Sequence, residues 1–189
     1  MKTMTKLLCA LVLGAPVAAA AGPEPSTPVT AAPKLSELDT QVMAHQHAVN
    51  QTELDMGKLA QANGSAGVKK YGATLVKDHT QGDKDVLALA KKKGVATLPA
   101  DAAVSESDKK AQADMTAKLK AMKGGAFDKM FLDMMAAAHD RELTKIGADI
   151  AVVSDADLKA LLTKTKPVLQ QHSDTAKSLE KTVTSSAEK

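Results

Sequence analysis

The sequence predicts an all-α fold, on three observations. The chain of 189 residues is 44% hydrophobic yet only 2% aromatic, so alanine, leucine, methionine and lysine carry its pattern. These are good helix formers, and clusters of β-branched residues are scarce. Apolar residues recur at three-four spacing over several stretches of about 26 residues, the periodicity of amphipathic helices rather than strands. The length suits one sizeable core and is short for two substantial domains.

Residues 1–21, MKTMTKLLCALVLGAPVAAAA, stand apart from that fold. Lys2 and Lys6 form a positive segment, Leu7 to Val17 an apolar one, and Ala18 to Ala21 a run of small residues. This is the pattern of a signal peptide, cleaved near Ala20 or Ala21, and it predicts a periplasmic or secreted protein. The apolar run is shorter than the roughly 20 residues that span a bilayer. No other segment reads as a membrane span, so an integral membrane protein is not expected. Cys9, the only cysteine, lies inside the apolar run with no lipobox around it. The mature chain would therefore hold no disulfide and depend on packing. Loss of Lys2 and Lys6 lowers the formal charge from +3 to +1 (3 − 2). The lysines are scattered among acids, and with no basic stripe or stacking aromatics the sequence argues against nucleic-acid binding.

Residues 22–35 are rich in proline, alanine, serine and threonine and read as a flexible leader to a bundle over 36–183. Helix one is expected at 36–62, opened by Ser36 as N-cap and by Glu37 and Asp39 in the first turn. Leu38, Val42, Val49, Met56 and Leu59 or Ala60 form its apolar face, and NGSAG at 63–67 stops it. Helix two, 66–93, carries Val68, Leu75, Val86 and Ala90, and ends at Gly94 behind three lysines. An extended stretch leads to a short helix at 105–121, whose SESD start is close to a capping box. KGG at 123–125 breaks the chain before helix four, 126–153. SDAD at 154–157 then turns into helix five, 156–183, which Pro167 should kink or restart, and residues 184–189 fray as a tail. Two hairpins with tight turns, joined by about 32 residues, predict a ferritin-like four-helix bundle of two helical hairpins, with a long crossover containing one short extra helix.

Each long helix sets one ionisable group on its apolar face: Glu53 between Val49 and Met56, His79 between Leu75 and Val86, His139 between Met135 and Leu143, and His172 between Leu169 and Ala176. With one long crossover, all four fall within roughly 5 Å of one level along the bundle axis, at 1.5 Å per residue. Unpaired charge buried in such a layer costs several kcal/mol, so the groups need a shared partner or one another. Imidazoles and a carboxylate suit a transition metal, zinc, copper, iron or manganese. The other reading is a structural polar layer without metal.

The di-iron signature of such bundles, a glutamate three residues before histidine on two helices, is missing, since Val76, Ala136 and Leu169 occupy those places. Asp83 and Glu142, one turn beyond His79 and His139, are candidate outer or supplementary ligands, or ordinary surface acids. His45 lies on the helix-one stripe two turns below Glu53, and His47 should face solvent. Met43 with His47, and Met130 with Met134, stand four apart, a spacing that invites thought of copper, but the methionines read as core filler. Absence of CxxCH from the mature chain excludes a covalent c-type haem, and no phosphate loop points to a nucleotide.

Glu53 with LDMGKLAQANGSAGVKKYGATLVKDH, then FDKMFLDMMAAAH, then PVLQQH ending at His172, resemble the bacterial exported family called domain of unknown function 4142. The resemblance spans about residues 38–182 and puts His79, His139 and His172 at the family's landmarks. It implies a ferritin-like bundle in the periplasm or at the outer membrane, and no established reaction. The sequence thus points to an exported metal-binding bundle in metal handling or envelope stress. The rival is an envelope structural or interaction protein whose histidines form a buried polar layer. An enzyme is the least favoured reading: no catalytic residues stand out, and four protein ligands would close a tetrahedral shell.

Overall fold

The computed structural model describes residues 35–102 and 104–187, and every regular element among them is a helix. The expected signal peptide, the leader apart from Leu35, and residues 188 and 189 of the tail lie outside the described residues. The helices are α1 (Glu37–Asn63), α2 (Ala66–Lys92), α3 (Glu106–Ala121), α4 (Gly124–Val152) and α5 (Ala156–Ala187). The all-α bundle of four long helices and one short one agrees with the periodicity.

Local chemistry sets the helix ends. Ser36 Oγ accepts the Asp39 N–H at 3.0 Å to open α1, and Ser105 with Asp108 forms a full capping box on α3. Gly124 takes a φ of 59°, a left-handed conformation open to glycine, so the reversal into α4 is complete at one residue and GG begins the helix instead of breaking it. α5 passes through Pro167 as one element rather than restarting, and runs on to Ala187 instead of ending at 183. One missing backbone bond does not interrupt a helix whose other turns remain bonded.

Two buried carboxylates set the helix directions. Asp128, near the start of α4, accepts the Ser65 N–H in the α1–α2 turn at 3.0 Å. At the other end Asp39, in the first turn of α1, accepts the Ser154 N–H and Oγ–H in the α4–α5 turn, at 2.9 and 2.6 Å. α1 and α5 therefore run one way, and α2 and α4 the other. Burial opposes ionisation of Asp39, but the bonds from Ser154 and Ser36 outweigh it and hold its carboxyl below the usual range. The crossover returns the chain along the bundle, and Asn63 Nδ2 meets the Leu119 and Lys120 carbonyls at the end of α3.

The core has two apolar halves. Towards the α1–α2 turn, Tyr71, Leu75, Phe127, Phe131, Leu132 and Met135 pack together. Towards the α4–α5 turn, Val42, Met43, Val86, Ile146, Leu158 and Leu162 do so. Met130 and Met134 pack against the first half and Met43 within the second, which fits the filler reading. Leu38, expected on the inner stripe, is 48% exposed. It sits in the first turn of α1, where the inward position belongs to Asp39. Val49 is only half-buried, because it borders a cavity.

α1 and α2 cross closely at two glycines. A Cβ on Gly72 would lie 2.6 Å from the Gly57 carbonyl oxygen, and one on Gly57 would lie 2.8 Å from that of Gly72. Any side chain at either position would push the helices apart just above the level of Glu53 and His79.

Candidate metal centre

Between the two apolar halves lies a polar layer, and the histidines predicted from sequence meet there. His79 from α2, His139 from α4 and His172 from α5 are all buried, each with a ring nitrogen that lies within 4.8 Å of the corresponding atoms of the other two. Ring centroids are 5.2 Å apart for His79–His172 and His139–His172, and 6.1 Å for His79–His139.

The outer nitrogen of each ring is held by a different partner. His139 Nδ1 donates to the Met135 carbonyl at 2.8 Å, one turn back on its own helix. His172 Nε2 faces Asp78 Oδ2 at 3.1 Å, across from α5 to α2. His79 Nδ1 faces Asn50 Oδ1 at 2.9 Å on α1. A carbonyl or carboxylate oxygen only accepts, so each of these ring nitrogens carries the proton. The remaining three, His79 Nε2, His139 Nε2 and His172 Nδ1, must then present lone pairs, and none has a hydrogen-bond partner. Gly82 leaves room for this arrangement, since a Cβ there would lie 3.0 Å from Asn50 Oδ1.

The electrostatics keep the rings neutral. Burial pushes His79 down to about 3, helped by His172 and His139. Burial likewise lowers His139 to about 4 against the pull of the Met135 carbonyl. His172 is lowered by burial despite Asp78. Three buried lone pairs with no donor are costly as they stand. A cation satisfies all three at once.

Glu53 is buried in the same region, with Oε2 unpartnered. Burial, then repulsion from Glu142, raises its carboxyl to about 8. The 4.8 Å set consists of the three imidazoles, and Glu53 borders a cavity that His139 also lines. The two supplementary candidates bond elsewhere. Asp83 Oδ1 pairs with His47 Nδ1 at 2.6 Å and its Oδ2 accepts from Gln51 at 2.7 Å, so it ties α2 to α1. Glu142 accepts from Gln46 at 2.7 Å and faces His45 Nε2 at 3.0 Å. A one-turn step along α2 or α4 therefore leads away from the histidine cluster. His47, expected in solvent, is half-buried by its bond to Asp83.

Asn50 and Asp78 are the functional neighbours that sequence reasoning missed. Asp78 precedes His79 in the DH pair and was given no role, but a residue 100° round the helix faces the next helix in the bundle. Asn50 was the better signal, a buried amide on the inner face of α1.

A family model described as domain of unknown function (DUF4142) matches residues 24–179. The chain belongs to that family. All three clustered histidines, Asn50, Asp78 and Glu53 fall within the matched DUF4142 region. Neither a curated protein nor a solved structure matches the chain. No described helix is long and apolar enough to cross a membrane.

Proposed function

We propose that this DUF4142 chain binds one divalent transition-metal ion between α2, α4 and α5, through His79 Nε2, His139 Nε2 and His172 Nδ1. Glu53, which lines the adjoining cavity with His139, is a further candidate donor beside the three. One observation carries the reading: three buried imidazoles direct unpartnered nitrogens at one point while a separate acceptor fixes the proton on the far side of each ring. That outer bonding is how proteins orient metal-ligating histidines. A purely structural layer would instead bond its members to one another. Zinc, copper, iron and manganese all suit the donors.

The signal-peptide pattern of residues 1–21 supports an exported, periplasmic setting, and metal handling under envelope stress is the role that fits both. The test is metal analysis of untagged protein beside a His139→Ala variant. About one ion per chain in the parent and almost none in the variant is expected. Negligible metal in both, after exposure to each candidate ion, would sink the proposal.

A further inference from the structure

We propose that the cavity beside the histidine cluster binds a small organic anion, its apolar body held in the cavity and its oxygen donor at a coordination position on the cavity side of the metal. This rests on the metal reading above and deepens it. The cavity has a volume of about 620 Å³, well within the range of small-ligand sites and far beyond the roughly 30 Å³ share of one water.

Its lining combines buried polar groups, an apolar wall and charged groups of both signs. At the inner end stand His139 and Glu53, the latter with a buried, unpartnered Oε2. Val49, Ala138 and Leu169 supply apolar wall between α1, α4 and α5. Charged groups follow, and most are already engaged. Glu142 bonds Gln46 and His45, and Asp101 bonds His45. Lys109 pairs with Glu106, and Lys145 with Asp149. Arg141, the only arginine of the chain, lines the same cavity and makes no ion pair among the described residues. An unpaired guanidinium favours entry of an anion, and binds carboxylates well.

An ion held by the imidazoles would be ligated from α2, α4 and α5. The remaining long helix, α1, carries Glu53, which lines the cavity. A divalent ion on three neutral imidazoles and one carboxylate retains net positive charge, so an anionic oxygen is the favoured additional donor. The apolar wall then selects for a hydrocarbon body.

The experiment loads the protein with cobalt(II), whose visible spectrum reports its coordination, and titrates acetate and benzoate. These share a carboxylate donor and differ in apolar body. Both should shift the spectrum, benzoate at a concentration at least about tenfold lower, since burying a phenyl ring is favourable. Arg141→Gln, an exposed position safe for folding, should weaken benzoate several-fold without changing cobalt content. A cobalt spectrum indifferent to both anions, or equal affinity for the two, would overturn the inference while leaving the metal reading intact. Failure of the chain to take up cobalt at all is a different result, and overturns both.

Discussion

His45 and His139 line one cavity from neighbouring helices, yet their surroundings demand opposite proton states. His45 has a carboxylate on each nitrogen, Asp101 Oδ2 at 2.7 Å and Glu142 Oε2 at 3.0 Å. Two acceptors require two donors, so this ring is an imidazolium that ties α1 to the crossover and to α4. Burial works against that charge, but the bonds and attraction of Glu142 and Asp101 prevail and raise its pKa. His139 has a carbonyl on one nitrogen and nothing on the other. Burial dominates there, and the ring is neutral with a lone pair free. The lesson is that the number of acceptors around an imidazole, rather than its depth alone, decides whether it is charged or keeps a free lone pair.

The comparison can be broken most severely on the ligand side. His79→Ala or His172→Ala should lower metal affinity by more than about a hundredfold, whereas His45→Gln should leave it within a few-fold; competition with a chromophoric chelator measures both. Next come the groups that orient the rings. Asn50→Ala and Asp78→Ala should each weaken binding about 10–100-fold, the usual cost of losing a partner behind a ligating histidine. Unchanged affinity in both would mean that the rings hold their orientation by packing.

Acidity sharpens the contrast with smaller effects, in the metal-free protein. The clustered histidines have folded pKa values below the ordinary 6.5, about 3 for His79 and about 4 for His139. The unfolded chain thus binds more protons, and the stability they contribute, full above about pH 6.5, is lost as pH falls towards 4. His45 has the reverse sign: its contribution is full below 6.5 and is lost as pH rises through its raised folded value. Melting temperature against pH should fall on both sides; Glu53, raised to about 8, also loses stability as pH rises and shares the alkaline limb, so His45→Gln should make that limb shallower and leave the acid limb unchanged. The change at neutral pH is expected to be about 2–4 °C, corresponding to roughly 1 kcal/mol in a chain of this length.

Much of the helical framework was legible because it is written locally. Ser36, Ser105 and Gly94 mark ends that a single helix determines for itself, and a histidine within a run of Leu, Met and Ala on one stripe announces a buried ring. The depth of His79, His139 and His172 followed from counting residues along helices of constant rise. What was not legible depends on how helices are rotated against each other. Asp78 reaches His172 and Asp83 reaches His47 because of the packing between α2 and its two neighbours, and no spacing within α2 distinguishes them. Asp101 lies in a stretch without periodicity, so its approach to His45 had no sequence signal. Leu38 failed for another reason: in the first turn of α1 the inward position is taken by a polar residue, Asp39, which bonds Ser154, and a count of apolar residues passes over it.

The polar layer is divided between the two hairpins, His79 coming from α1–α2 and His139 with His172 from α4–α5. Neither half of the chain supplies all three of the clustered imidazoles. Coordination is consequently a property of the docked pair, and bound metal would act as a clasp whose strength adds to the association of the halves. Severing the crossover between α2 and α3 would turn an intramolecular fastening into a metal-dependent complementation of two fragments, with the ion as the currency of their recognition.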